Sequence, residues 1–240
     1  MGNVGNLLQG ASGDNNIITL YHGTSVILEN PTYGIGKSDN DYGSGFYLTE
    51  DYNQAAEWAC GFGSESSYVN EYKLDVSDLS VLNMDKLGPL AWIAEVASHR
   101  IVPHDWWADL YEEFVRTYKP DTNYDVLRGL RADDSYLSII TDFFDGTFGA
   151  MEVASLFKEG DLGSQVFIRS EKAFGSIMFV KRTQVYGVYS DRISTARRHV
   201  VEVTNRRRAD LLRNKAVVPY PSFADALDRK LTYNNGGFYD

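Results

Sequence analysis

The sequence predicts an α+β protein with one substantial hydrophobic core. The chain has 240 residues, of which 43% are hydrophobic, which is enough material for one large domain. Short runs of β-branched and aromatic residues are interspersed with longer segments of helical periodicity, and no segment is repeated. No apolar run approaches the roughly 20 residues of a membrane-spanning helix. These observations together favour a soluble mixed fold.

Six runs rich in β-branched and aromatic residues are predicted to form the strands. The first run reads IITLYH and continues into Gly and Thr, so residues able to carry chemistry lie at its end. A loop over residues 34–45, rich in Gly, Asn and Asp, precedes a very short second strand. In chain order the predicted strands are residues 17–22, 46–49, 68–74, 124–129, 165–169 and 177–189.

Seven segments are predicted to form helices. Asp51 is placed to cap the first one, which carries alanines and a tryptophan and ends near Gly61 or Gly63. Pro120 ends the third, because the residue before a proline disfavours helical conformation. In chain order the predicted helices are the one that follows Asp51 and residues 89–100, 105–118, 133–144, 148–157, 194–214 and 223–231.

The two ends of the chain differ in composition from its middle. Residues 1–16 contain glycines separated by Asn and Ser and are expected to form a flexible leader. The net charge of the chain is −10, which on average repels nucleic acid. Residues 181–215, however, hold ten basic and three acidic side chains, a local charge of +7. We therefore expect residues 191–240 to form a basic helical C-terminal extension.

Cysteine and histidine usage argues against a metal centre. The single cysteine, Cys60, excludes an internal disulfide and a cysteine-based zinc site. The four histidines show no HExxH pair, so no metal-ligand set is expected. The N-terminus lacks the basic start and apolar stretch of a secretory signal. These features favour a reducing cytoplasm.

Three patches combine residues suited to ligand binding. Residues 21–24 (YHGT) put an imidazole and a glycine at a strand end, where backbone can approach a ligand. Residues 41–49 (DYGSGFYLT) add two glycines and a tyrosine with a flat amphipathic ring. Residues 164–169 (SQVFIR) form a late strand that begins with a polar amide. Each patch alone is a weak signal, and their combination is the informative feature.

Together these patches resemble the ADP-ribosyltransferase superfamily. The sequences LYHGT, NDYGSGFYLT and QVFIRSEKAF, spread between residues 20 and 181, are similar to those of a bacterial domain family of unknown function. The similarity lies in the branch that holds diphtheria toxin and poly(ADP-ribose) polymerase. It implies that residues 17–190 form a catalytic domain with a split two-sheet β-core, flanking helices and an NAD cleft, with NAD as co-substrate and no metal.

The resemblance also implies a role for individual residues. His22 would hydrogen-bond the 2′-hydroxyl of the adenosine ribose, and the Gly23 backbone would hold the nicotinamide carboxamide. Tyr47 and Trp58 would stack on the two faces of the nicotinamide ring. Gln165 stands where many relatives carry the catalytic Glu, so the implied catalytic residues are His22, Tyr47 and Gln165. The rest of the implied NAD site comprises Thr24, Gly43, Gly45 and Phe46.

The sequence departs from the pattern of its relatives at two positions. Gln165 carries no negative charge and cannot act as a base, although its amide oxygen can accept a hydrogen bond from a ribose hydroxyl. Glu171 would share a strand face with Gln165 if the strand ran that far, and is a weak substitute. Ala55 stands where relatives often place a Ser. The missing charge at Gln165 favours an acceptor that needs no deprotonation, such as an amino group or a nucleobase, and Ala55 would remove one hydrogen bond to the nicotinamide amide.

The function implied is mono-ADP-ribosyl transfer from NAD to a macromolecule, with release of nicotinamide. A small bacterial or phage-related chain of this kind is expected to be an intracellular toxin or defence effector with an antitoxin or inhibitor protein as partner. The acceptor is left open between RNA, DNA and protein. The residues proposed to contact a nucleic-acid acceptor are Arg197, Arg198, Arg206, Arg207 and Arg208.

Two other functions use the same residues. An NAD glycohydrolase would transfer ADP-ribose to water, and a non-catalytic NAD-binding module would bind without turnover. RNA 2′-phosphotransferase chemistry ranks lower, because no spaced set of arginines is visible beside His22 in the sequence.

Some of the same side chains also have purely structural interpretations. His22 alone is typical of a structural histidine at a strand rim, and Gln165 of a polar strand start. Core packing and stacking on a ligand are about equally favoured for Trp58. Asp133-Asp134 is interpreted as a helix N-cap, and one residue of Trp106-Trp107 is expected in the core.

Overall fold

In a computed structural model, the described residues form two main β-sheets, a third sheet of two strands, and helices that pack around the main sheets. The structure describes residues 16–61, 66–104, 107–132, 134–159, 162–187, 190–214 and 220–240. The strands are β1 Ile17–Thr24, β2 Phe46–Leu48, β3 Ser67–Asp75, β4 Val81–Asn83, β5 Val126–Leu130, β6 Ser164–Ile168, β7 Ile177–Val185, β8 Thr232–Asn234 and β9 Gly237–Tyr239. The helices are α1 Tyr52–Cys60, α2 Met84–Leu87, α3 Pro89–Arg100, α4 Ala108–Tyr118, α5 Asp134–Phe144, α6 Ala150–Glu159, α7 Glu171–Gly175, α8 Ser190–Arg213 and α9 Phe223–Arg229.

Among the described residues, one isolated backbone bridge joins the two main sheets. The first sheet has the order β1-β3-β7 and is antiparallel throughout, whereas the second has the order β2-β6-β5-β4, with β4 parallel to β5. Tyr21 of β1 and Thr49, just after β2, exchange backbone hydrogen bonds of 2.8 and 2.9 Å. Beyond this bridge β1 and β2 separate, which opens the space where the candidate site lies.

A hydrophobic layer fills the space between the two sheets. Leu20, Tyr72 and Leu74 of the first sheet are fully buried against Val166 and Ile168 of the second. Because side chains alternate along a strand, the neighbouring residues of β6 face the opposite way, toward the helices. This alternation also places Tyr47 and Gln165 on the same face of the second sheet, the face that carries Phe167.

The larger core lies between the second sheet and helices α3 to α6. Aromatic residues dominate it, and Trp107 stacks on Phe144 with ring centroids 5.0 Å apart. The C-terminal part of the chain joins this core through Val200 of α8 and Phe223 of α9, which are both buried. The segment that the sequence suggests as an extension therefore packs against the domain.

Helix α1 packs directly on β1. Asp51 caps it by accepting hydrogen bonds from the backbone N–H groups of Asn53 and Gln54, and the helix ends at Gly61. Gly23 is required at the crossing point, because a Cβ built there would lie 1.8 Å from the carbonyl oxygen of Ala55. The alanines of α1 and this glycine thus bring the helix against the strand that carries His22.

The α+β class predicted from the sequence is confirmed, and every predicted strand and helix overlaps an observed one. Each predicted C-terminal strand end differs from the observed one, by one to four residues. β7 ends at Val185 rather than at residue 189, and β6 ends at Ile168 because Ser170 caps α7 by accepting from the Ala173 N–H. Residues 1–15, most of the predicted leader, lie outside the described residues, as do Trp106 and Asp133. No helix among the described residues is long and apolar enough to cross a membrane.

Candidate functional site

A cavity of about 770 Å³ opens where β1 and β2 separate. Its floor is formed by the strands, and the loop between β1 and β2, helix α1 and three arginines surround it. We call the group formed by His22, Gly23, Tyr47 and Gln165 the strand wall. The predicted catalytic and NAD-binding residues that line the cavity are His22, Gly23, Gly45, Phe46, Tyr47, Trp58 and Gln165.

His22 is held as a neutral imidazole with a defined tautomer. Its Nδ1 lies 2.7 Å from the carbonyl oxygen of Tyr47, which can only accept, so Nδ1 carries the proton. The ring packs on Phe46 with centroids 4.7 Å apart. Burial lowers the pKa of His22, with the Tyr47 hydrogen bond opposing part of the shift. Nε2 is therefore a hydrogen-bond acceptor at neutral pH.

Gly23 directs its backbone polar groups into the opening between the sheets. Tyr21 uses its N–H and C=O for Thr49, on the β2 side of β1. In a strand these groups alternate sides from residue to residue, so those of Gly23 point the same way as those of Tyr21 and away from β3. Among the described residues, the isolated bridge on this side of β1 is the one between Tyr21 and Thr49. At Gly23, β2 has already separated from β1. The Gly23 N–H and C=O can thus hold a ligand amide.

Tyr47 is held in place by two hydrogen bonds of its hydroxyl and by a contact between its ring and Phe167. Its hydroxyl donates to the Gly43 carbonyl oxygen at 2.7 Å and accepts from the Tyr42 N–H at 3.0 Å. Phe167 packs on the ring with centroids 4.8 Å apart. Burial raises the pKa of Tyr47, so the phenol is neutral throughout the physiological range. Gly43, with φ of 81°, does not line the cavity; its role in the structure is to anchor Tyr47.

Trp58 lies at the mouth of the cavity and has an arginine against it. Its side chain is 40% exposed, and the guanidinium carbon of Arg131 lies 4.0 Å from its ring centroid. Such a cation–π contact covers the ring area that faces Arg131. A planar ligand would stack on Trp58 from the solvent-accessible side or displace Arg131.

Gln165 is buried, and its orientation is set by a carboxylate. Its Nε2 donates to Asp41 Oδ2 at 2.9 Å, and Asp41 also pairs with Arg100 at 2.7 Å. Burial raises the pKa of Asp41, while its hydrogen bonds and Arg100 oppose that shift. In the sequence, Asp41 is only the first residue of a glycine-rich patch, and no local pattern points to its contact with Gln165.

Three arginines from distant parts of the chain form another side of the cavity, which we call the arginine wall. Arg100 ends α3, Arg131 follows β5, and Arg197 lies on α8. Arg100 is shared between Asp41 and Asp134. This group of arginines is not visible in the sequence, because packing alone brings the three residues to the cavity that His22 also lines. Among the described residues, no group of His, Cys, Asp and Glu could hold a metal ion.

Comparison with known proteins places the chain in a family. The profile of the DUF3990 family, which is described as a protein of unknown function, matches residues 18–179. This match covers more than half of the chain and includes the whole strand wall. The chain belongs to the DUF3990 family. No curated protein and no solved structure matched it.

The DUF3990 region contains most of the cavity but not the basic helix. Asp41, Arg100 and Arg131 fall inside the matched residues, whereas Arg197 and the rest of α8 lie beyond residue 179. The strand wall and two of the three wall arginines therefore belong to the region shared with the family. The third arginine, which helix α8 brings to the cavity, lies outside it.

Two other residues named in the sequence analysis, Thr24 and Glu171, do not line the cavity, whereas Ala55 does. Thr24, at the end of β1, pairs with Tyr68 and does not line the cavity. Glu171 begins α7 instead of continuing β6, so it does not share a strand face with Gln165 and is absent from the cavity lining. Ala55 does line the cavity, next to Gly23.

Proposed function

We propose that this DUF3990 protein is a mono-ADP-ribosyltransferase that uses NAD to modify a macromolecule, on an ADP-ribosyltransferase-like split two-sheet core. The observation that carries the proposal is the strand wall: an imidazole acceptor, an outward-facing glycine backbone, a fixed tyrosine ring and an amide all meet at one cavity. The resemblance of the sequence implied each of these residues separately, and they lie on three different strands.

The chemistry of the cavity suits the parts of NAD. Nε2 of His22 would accept a hydrogen bond from the adenosine-ribose hydroxyl. The Gly23 N–H would donate to the carboxamide oxygen, and the Gly23 carbonyl would accept from the carboxamide NH₂ group. Tyr47 and the accessible side of Trp58 offer aromatic surface to the nicotinamide ring. The arginine wall would face the diphosphate, since guanidinium groups match phosphate geometry and charge.

The reaction proposed breaks the N-glycosidic bond between nicotinamide and ribose C1′. The bonding electron pair leaves with nicotinamide, and positive charge develops on the ribose. The acceptor atom then forms the new bond to C1′ and releases its proton to solvent. Because Gln165 cannot act as a base, an acceptor that is nucleophilic without prior deprotonation is favoured.

The arginines of helix α8 are the residues proposed to contact the acceptor. Arg197, Arg198, Arg206 and Arg207 are exposed, whereas Arg208 is half-buried and bonded to Asp142. A helix with these cations beside the cavity supports a nucleic-acid acceptor, with protein as the alternative. A toxin or defence effector that is held in check by an antitoxin protein is the biological role that this activity would fit.

The test uses NAD labelled in its adenylate part, the purified protein and a cell lysate divided into nuclease-treated and protease-treated halves. Nicotinamide release with label on macromolecules supports the proposal. The treatment that removes the label, nuclease or protease, identifies the class of acceptor. His22→Ala should lose turnover, whereas His199→Ala, on the exposed surface of α8, is the matched control. Free ADP-ribose as the only product would instead indicate an NAD glycohydrolase, and unchanged NAD would contradict both.

A further inference from the structure

Asp41 is a carboxylate buried beside the cavity at the junction of four segments of the chain. Its side chain contacts α3 through Arg100, the segment after β5 through Ala132, and β6 through Gln165. Oδ1 accepts from Arg100 Nη1 at 2.7 Å, and Oδ2 accepts from both the Ala132 N–H and Gln165 Nε2 at 2.9 Å. The residue is only 5% exposed.

These contacts determine which end of the Gln165 amide faces the cavity. Nε2 has the Asp41 carboxylate at 2.9 Å and the carbonyl oxygen of Leu130 at 3.5 Å, and both groups only accept. Rotation of the amide by about 180° would place Oε1 against these two oxygens, so a hydrogen bond would become a repulsive contact. Asp41 therefore keeps Oε1 on the side of the amide away from these acceptors. Gln165 itself lines the cavity.

Asp41 also differs from the other carboxylate that Arg100 binds. Asp134 pairs with Arg100 too, but its side chain is 87% exposed, whereas that of Asp41 is 7% exposed. A hydrogen bond from an amide to a buried carboxylate is stronger than one to a neutral acceptor, and it polarises the amide so that its oxygen becomes more negative. Burial and the Arg100 charge act in opposite directions on the pKa of Asp41.

We propose that Asp41 is the positioning residue for Gln165: it fixes the amide so that Oε1 faces the ribose side of the cavity, and its charge polarises that oxygen. This inference rests on the proposed function for the identity of the ligand. In the ADP-ribosyl transfer proposed above, Oε1 accepts a hydrogen bond from a hydroxyl of the nicotinamide ribose as C1′ becomes electron-poor. The buried Asp41–Gln165 pair thus replaces the single glutamate that the resemblance implies for position 165. The negative charge lies on Asp41 instead of on the residue that faces the ribose.

The test is a double-mutant cycle of Asp41→Asn and Gln165→Glu, measured by nicotinamide release from NAD. Asp41→Asn keeps an oxygen for Gln165 but removes the charge, so kcat is expected to fall by about tenfold. KM should stay within about threefold because Asp41 does not touch NAD in the proposed mode. Gln165→Glu alone places two carboxylates at hydrogen-bond distance, which is unfavourable unless they share a proton. It is expected to be the least active of the set.

The double variant distinguishes a role of Asp41 in positioning Gln165 from a purely structural role in stabilising its own loop. In it, the new amide at position 41 can donate to the new carboxylate at position 165, so the like-charge contact disappears and one carboxylate oxygen faces the cavity. Its kcat should exceed that of Gln165→Glu by about tenfold. If the kcat of the double variant instead falls by the product of the two single-variant factors, Asp41 only stabilises its loop through Arg100 and Ala132, and the inference is wrong. Asp142→Asn, which breaks the Asp142–Arg208 pair away from the cavity, controls for loss of a semi-buried carboxylate–arginine pair.

The same cycle in urea unfolding without NAD distinguishes this inference from the proposed function. Gln165→Glu should lower the free energy of unfolding more in the wild-type background, where Asp41 is present, than in the Asp41→Asn background. Wild-type protein that fails to consume NAD would contradict the proposed function, and the unfolding cycle would still decide on the Asp41–Gln165 contact. Additive effects in the unfolding cycle would overturn the positioning role whether or not NAD is consumed.

Discussion

The two walls of the cavity are built in different ways. The strand wall consists of residues whose positions follow from strand pairing and short-range hydrogen bonds, such as His22 Nδ1 to the Tyr47 carbonyl. The arginine wall consists of Arg100, Arg131 and Arg197, which come from the end of one helix, a loop and another helix. The first wall offers oriented neutral groups, and the second offers charge. The difference suggests that the strand wall sets the geometry of a ligand and the arginine wall its affinity.

The largest effect is expected from Gly23→Ala in the strand wall. The new Cβ would lie 1.8 Å from the Ala55 carbonyl oxygen, so α1 must move away from β1. Overpacking of this kind should lower the free energy of unfolding by about 3 kcal/mol and abolish NAD turnover. Urea unfolding measures the first effect and nicotinamide release the second. Gly175→Ala, where no atom lies within 4 Å, is the matched control. Equal stability of the two variants would show that α1 does not press on β1.

Tyr47→Phe removes the hydroxyl that ties the strand wall to its loop. The Tyr42 N–H and the Gly43 carbonyl lose their partner, which should lower the free energy of unfolding by about 2 kcal/mol. KM for NAD should rise because the ring is less well held. The control is Tyr186→Phe, at a tyrosine that is 67% exposed. A variant with wild-type stability and KM would mean that the ring needs no anchor.

Arg197→Ala tests the arginine wall. If this wall sets affinity, the variant should raise KM for NAD by about tenfold and leave kcat unchanged, since a phosphate contact acts equally on ground and transition states. Titration with NAD checks the result, with Arg213→Ala at the exposed end of α8 as control. A fall in kcat at constant KM would contradict the division of roles between the two walls.

The smallest effect concerns pH and His22. Burial lowers its pKa below the usual 6.5, so near pH 6 the folded protein binds fewer protons at this residue than the unfolded chain. Its contribution to stability is therefore complete above pH 6.5 and lost as the pH falls through the folded pKa. A titration followed by NMR checks this: the shift of the His22 Cε1 proton should have its midpoint below pH 6.5. A His22 midpoint above 6.5 would contradict the lowering of its pKa by burial.

Several elements could be predicted because their signals are local. The β-branched run of β1, the Asp51 cap of α1 and Pro89 at the start of α3 each act within a few residues. The short elements β4, α2 and α7, with three to five residues each, were not predicted. They carry too few side chains for a periodic pattern and form because their neighbours supply hydrogen bonds or burial.

For the candidate site, the sequence by itself determined the residue types of the strand wall and their order along the chain. It could not determine that Asp41 binds Gln165, 124 positions away, or that three arginines line the same cavity as His22. Strand alternation and glycine spacing are properties of neighbouring residues and are visible in one dimension. The direction of a buried amide and the convergence of charges depend on which helices pack together, so only the tertiary structure decided them.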